Sequence, residues 1–115
     1  MRQYLLFSVL GVVLVACSAF NLGDANRFQR GMSPAQVESI ASKGPKVVVD
    51  FTVPSIPRDT FQVMVFDLAL GSAAAEYYAV FRNGKLYYWG HPYEFNRHMD
   101  SEMNAIGAAA VKAVD

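Results

Sequence analysis

Glu76-Tyr77-Tyr78-Ala79-Val80-Phe81-Arg82-Asn83-Gly84-Lys85-Leu86-Tyr87-Tyr88-Trp89 decides the fold. Two runs of β-branched and aromatic residues flank Asn-Gly, the pair that most readily supplies the two positive φ angles of a type I′ hairpin turn. A two-residue turn predicts Arg82 opposite Lys85, Phe81 opposite Leu86, Val80 opposite Tyr87, Ala79 opposite Tyr88 and Tyr78 opposite Trp89. One face then carries Phe81, Leu86, Ala79, Tyr88 and Tyr77. The other carries Val80, Tyr87, Tyr78 and Trp89 and ends in a basic tip, Arg82 and Lys85. Tyr78, Tyr87 and Trp89 read as a binding platform, because Tyr and Trp are enriched at interface hot spots. They read instead as core if a C-terminal helix, which needs somewhere to bury Met103 and Ile106, covers them. The like charges at the tip oppose each other across the pair, which a negative partner, a lipid headgroup or plain solvent would relieve.

Outward from the hairpin the pattern stays period-two. Residues 61–70 are β-rich and break at Gly71-Ser72, while Val47, Val49, Phe51 and Val53 alternate with Val48, Asp50 and Thr52. Pro54 and Pro57 end that earlier strand. Asp50 and Asp67 read as solvent-facing positions of a half-exposed sheet. Before the sheet, Ser33, Pro34 and Gln36 form a helix start with a capping box, and Met32 and Val37 are spaced as a hydrophobic staple. Val37, Ile40 and Ala41 make one apolar face, and Gly44-Pro45 stops the helix after about ten residues. After the hairpin, His91-Pro92 opens a turn with Tyr93, Phe95 and Asn96. Asp100 caps a helix bearing Met103, Ile106, Ala110, Val111 and Val114, which Gly107 weakens by up to about 1 kcal/mol relative to Ala. The expected fold is α+β: a short N-terminal helix on a small antiparallel sheet of three to four strands, plus a C-terminal helix.

Composition narrows the function. The 115 residues allow one domain at most. Ten basic side chains balance ten acidic ones, which argues against nucleic acid as a partner. The single cysteine excludes an intrachain disulfide framework and a Cys-rich zinc site. His91 and His98 are too far apart in sequence to stack on one helical face. No serine lies in a Gly-x-Ser-x-Gly elbow and no glycine-rich phosphate loop is present. No enzymatic activity and no cofactor are expected.

The N-terminus reads as an address. Met1, Arg2 and Gln3 precede an uncharged run from Tyr4 to Ala16 whose helical length is about 20 Å, short of the roughly 30 Å hydrocarbon core. Leu14-Val15-Ala16-Cys17 resembles the bacterial lipobox, which implies a signal peptide over 1–16, lipid on Cys17 as first mature residue and, with Ser18 second, delivery to the outer membrane. An uncleaved membrane helix and cleavage after Ala19 are the alternatives. Residues 17–31 form the lipidated N-terminus and a polar tether, and 32–115 the folded domain.

Gly31-Met32-Ser33-Pro34-Ala35-Gln36-Val37, with Gly44-Pro45 behind it, resembles the opening of the SmpA/OmlA, or BamE-like, small lipoproteins. Tyr77 to Leu86 resembles the aromatic hairpin of that family, so the likeness covers roughly residues 28–90 plus the lipobox. The family often packs two helices before its sheet; one is expected here. The resemblance implies a lipid-anchored module at the inner face of the outer membrane, facing the periplasm. Its partner would be an envelope protein, by likeness the machinery that assembles β-barrel proteins. The contact residues would be Tyr78, Tyr87, Trp89, Arg82 and Lys85. A second reading is a lipoprotein gripping a small molecule, lipid or peptidoglycan fragment between sheet and C-terminal helix, which an apolar pocket of about 300 Å³ or more under that helix would favour.

Overall fold

In the computed structural model, which describes residues 20–70, 73–95, 97 and 99–115, Asn83 and Gly84 take φ of 53° and 78° and close the hairpin as a type I′ turn. The expected signal peptide, Cys17 and His98 lie outside the described residues. The elements run α1 (Leu22–Ala25), α2 (Pro34–Ile40), β1 (Val47–Phe51), β2 (Phe61–Leu70), β3 (Ala73–Arg82), β4 (Lys85–Gly90), a 3₁₀ turn (Pro92–Glu94) and α3 (Ser101–Val114). The four strands form one antiparallel sheet in the order β1-β2-β3-β4. The α+β class and the sheet flanked by N-terminal and C-terminal helices are as expected.

Both faces of β2, β3 and β4 are covered, while Val47 and Val48 of the edge strand β1 stay exposed. On one, Met64, Phe66, Leu68, Tyr77, Ala79, Phe81 and Leu86 pack under Phe20, Ala25, Phe28 and Val37. On the other, Val63, Val65, Tyr78 and Val80 pack under Phe95, Ile106 and Ala110. The period-two alternation puts odd-numbered and even-numbered residues of β2 on opposite sides, so β2, like β3, feeds two cores. α3 therefore does cover the face that holds Tyr78.

The hairpin register departs from expectation at one residue. Arg82 pairs with Lys85 and Phe81 with Leu86, but Val80 pairs with Tyr88, Ala79 with Trp89 and Tyr78 with Gly90. Tyr87 is the extra residue of a β-bulge. Its carbonyl accepts a hydrogen bond from Arg30 Nε at 3.0 Å, a side chain 57 positions away in sequence. The bulge reverses the facing of the two residues after it. Tyr88 sits beside Val80 and Tyr78, its ring 4.7 Å from that of Phe95. Trp89 turns to the other face and meets Phe28 edge-on at 6.2 Å. The single platform of Tyr78, Tyr87 and Trp89 does not form.

The stretch expected as a tether is largely structured. Phe20 is fully buried, pairs with Leu68 in a parallel bridge and stacks on Phe66 at 4.5 Å. Asp24 is buried too. Its carboxylate accepts from Ser42 N at 3.0 Å and Ser42 Oγ at 3.1 Å, latching α1 to the end of α2. Asn21 and Asp24 also complete a capping box of their own. The latch explains why α2 ends at Ile40, several residues before Gly44-Pro45. The Ser42 amide that would continue the helix is spent on Asp24. At its start α2 matches the reading: Gln36 N donates to Ser33 Oγ at 3.2 Å and Ser33 N to Gln36 Oε1 at 2.8 Å.

Asp50 and Asp67 are solvent-facing as expected. Asp50 accepts from its cross-strand partner Gln62 at 3.0 Å. Asp67 lies opposite Glu76, and Lys46 bridges the two carboxylates, 3.3 Å from Asp67 Oδ1 and in contact with Glu76 Oε2. Both carboxylates hold the Lys46 ammonium above its ordinary pKa, Glu76 most strongly.

Candidate functional site

With β2, β3 and β4 covered on both faces, the hairpin residues open to a partner gather at the Asn83-Gly84 end. That end is built by the hairpin, the 52–60 loop and the start of α2. Asn83 locks the hairpin to the loop: its backbone amide donates to Thr60 O at 2.8 Å, its Nδ2 to Asp59 Oδ1 at 3.1 Å, and its Oδ1 accepts from Thr60 N at 3.0 Å. Replacing Asn83-Gly84 by Ala-Ala strains two positive φ angles and removes the lock. We expect a loss of about 2–3 kcal/mol in chemical denaturation. An unchanged midpoint would contradict this role for the turn.

Arg82 belongs to the same lock and is not a free contact residue. Its Nε lies 2.7 Å from Asp59 Oδ2 and its Nη1 2.8 Å from Glu102 Oε1, so one guanidinium joins the hairpin, the loop and α3. Glu102 first, then Asp59, hold Arg82 more firmly protonated than usual. These two carboxylates relieve the like-charge pairing of Arg82 with Lys85 inside the molecule. In return, the Asn83 amide and then Arg82 hold the Asp59 carboxyl below its ordinary range. A depressed carboxyl pKa contributes stability above the unfolded value near 3.9, and this is lost as acid carries the pH through the folded value.

Of the expected contact residues, Tyr78 is core, 2% exposed and edge-on to Phe95 at 5.7 Å. Trp89 is half-buried on the opposite face. Lys85 and Tyr87 do meet at the surface. Tyr87 is half-buried between two cations, Arg30 at 4.8 Å and Arg82 at 5.3 Å from its ring centroid. Lys85 is exposed beside them. Arg30, Gly31, Asn83, Lys85 and Tyr87 line a shallow hollow of about 440 Å³, a basic shelf with one aromatic ring. Arg30 went unnoticed in the sequence because its role depends on the bulge it stabilises.

On the far side of the turn lies an open groove of about 640 Å³, walled by Phe51, Pro57, Arg58, Phe61, Gln62 and Pro34. Phe51 and Phe61 stack across β1 and β2 at 5.4 Å. The interface between sheet and α3 is instead filled by Phe95, Ile106 and Ala110, each at most 1% exposed. The hollows beside α3 are smaller, about 290 Å³ by Tyr88 and Met103 and about 230 Å³ by Val111 and Pro92.

His91 is a turn residue. Its amide donates to Glu94 Oε1 at 2.9 Å and its ring stacks on Tyr93 at 5.2 Å. Among the described residues no group of three His, Cys, Asp or Glu is placed to hold a metal ion, and no helix is long and apolar enough to cross a membrane.

Three phenols, two buried and one half-buried, bear on the alkaline behaviour. Burial is the first cause that pushes Tyr77, Tyr78 and Tyr88 above their ordinary value of 10.0. A raised pKa leaves their contribution intact below about pH 10 and removes it as pH climbs toward the folded values. We expect absorbance at 295 nm to show these phenols ionising only as the circular dichroism of the fold collapses. Full ionisation near pH 10 with the fold intact would contradict their burial.

No family model, curated protein or solved structure matches this chain.

Proposed function

We propose that this protein is a lipid-anchored interaction module of the bacterial envelope, tethered through Cys17 at the inner face of the outer membrane. Its partner is an envelope protein, and by the resemblance of the Gly31–Val37 and Tyr77–Leu86 segments that partner belongs to the β-barrel assembly machinery. The observation that carries the reading is the distribution of free surface. The chain's own helices cover β2, β3 and β4 on both faces, while the Arg30, Lys85 and Tyr87 shelf and the neighbouring groove remain open at one end. A half-desolvated tyrosine flanked by cations is the composition of an interface anchor with charges that steer encounter.

The test is a pull-down of the tagged full-length protein from detergent-solubilised membranes, beside Lys85→Glu. Lys85 is exposed, so the variant should fold normally. We expect barrel-assembly subunits with the native protein and recovery roughly tenfold lower with the variant, the scale of about 1.4 kcal/mol. Equal recovery would remove the shelf from the contact, and absence of those subunits from both samples would overturn the partner.

A further inference from the structure

The two outer edges of the sheet are finished differently. Along β4, Gly31 N donates to Leu86 O at 2.9 Å, Leu86 N donates to Met32 O at 2.7 Å and Arg30 Nε donates to Tyr87 O at 3.0 Å, so the 30–32 segment closes that edge. β1 has no such cover. Among the described residues, Val47–Phe51 make no backbone hydrogen bond outside the ladder with β2. An open edge presents a row of unpaired amides and carbonyls, ready to pair with another chain unless proline, lysine or a bulge blunts it. The five residues of β1 are Val-Val-Val-Asp-Phe, without proline or lysine, and they pair with β2 in one unbroken register. Val47 is 38% and Val48 46% exposed.

The side chains along this edge select what can lie beside them. Val48 and Asp50, opposite Met64 and Gln62, share the face on which α1 and α2 cover β2, yet both are exposed. Asp50 accepts from Gln62 Nε2 at 3.0 Å, a neutral donor, and among the described residues it has no ion-pair partner. On the other face Val47 and Val49 are apolar, and Val49 packs toward the core under α3. A strand laid here fits best with β-branched residues beside the valines and a cation opposite Asp50. A second copy of this chain fits less well. Paired antiparallel about Val48, it would bring Lys46 to Asp50, and Lys46 is already held between Asp67 and Glu76. Paired about Asp50, it would oppose two carboxylates.

We propose that the outer edge of β1 takes up an extended segment of another protein as a fifth strand, a β-branched run with a lysine or arginine opposite Asp50. Main-chain hydrogen bonds along Val47–Phe51 supply the attachment, and Asp50 supplies the selection. The site lies on the opposite edge of the sheet from the Arg30 shelf and does not depend on lipid at Cys17.

The experiment measures binding of a dye-labelled peptide, Thr-Val-Val-Lys-Val-Val-Thr amide, to the detergent-solubilised full-length protein by fluorescence anisotropy. The peptide reads the same in both directions, so a parallel and an antiparallel strand present the same side chains. At low salt its counterpart with Glu in place of Lys should bind about fivefold more weakly. Asp50→Lys should reverse that preference, and about 1 M salt should abolish it. Circular dichroism checks the fold of the variant, and Asp50→Asn, which should erase the preference, carries the test if Asp50→Lys does not fold. A peptide N-methylated at every residue keeps the charge but loses its donors, and its binding should fall at least about tenfold. No binding of the Lys peptide, a preference unmoved by Asp50 or equal binding of the N-methylated peptide would overturn the proposal. A dimer in sedimentation that the peptide dissociates would give the edge to a second copy and overturn it as well.

Discussion

Phe20→Ala is expected to lower the unfolding free energy by about 3–5 kcal/mol, the range for truncating a fully buried phenylalanine. Phe20 is 0% exposed and its ring meets Phe66 at 4.5 Å, Tyr77 at 5.5 Å and Phe28 at 5.9 Å. Removing it opens a cavity among rings that belong to β2, β3 and the 26–31 segment, which cannot all move inward together. It also unseats α1, whose Asp24 holds the end of α2. Chemical denaturation of the detergent-solubilised full-length protein measures the effect. A loss below about 1 kcal/mol, the size of an ordinary surface change, would mean that the folded domain begins later in the chain.

Gly107→Ala is the second large effect, and its sign is opposite to what helix propensity gives. In an open helix the change would stabilise by up to about 1 kcal/mol. Here a Cβ on Gly107 would lie 2.4 Å from the Phe95 carbonyl oxygen and 2.9 Å from its Cβ. Backbone atoms cannot swing aside, so α3 must lift from the turn or Phe95 must leave the core it fills. Overpacking of this kind costs about 1–3 kcal/mol. We expect a net destabilisation of about 2 kcal/mol, with Tyr78 and Tyr88 becoming more accessible because both rings lean on Phe95. A gain in stability would show that α3 does not approach Phe95 so closely.

Gly107 illustrates where sequence reasoning stopped. The rules that are local in sequence were legible: the Ser33–Gln36 capping box, the Asn83-Gly84 turn, the Asp100 cap that accepts from Glu102 N and Met103 N, and the strand of residues 61–70. Each depends on atoms within a few positions of one another. What was not legible depends on distant partners. The bulge at Tyr87 needs Arg30, the Ser42 latch needs Asp24, and the helix glycine needs the Phe95 backbone. A slip of one residue at Tyr87 was enough to exchange the facings of Tyr88 and Trp89, because side chains alternate with a period of two.

The candidate site shows the same division. The hairpin residues were found, and so was the importance of its tip. Which of them remain at the surface was decided by packing: Tyr78 went under Phe95, Trp89 against Phe28, and Arg82 into ion pairs with Asp59 and Glu102. Arg82 looked available only because Asp59 and Glu102, both some twenty residues away, could not be placed beside it from sequence. Lys85 and Tyr87 remain, joined by Arg30.

The proposed lipid anchor on Cys17 decides where the module would work. Intact-mass spectrometry of the protein purified from membranes tests it most directly. We expect a chain that starts at Cys17 and carries the added mass of a lipid, with Cys17→Ala lost from the membrane fraction. An unmodified chain starting at another residue, or a Cys17→Ala protein still held in the membrane, would contradict it.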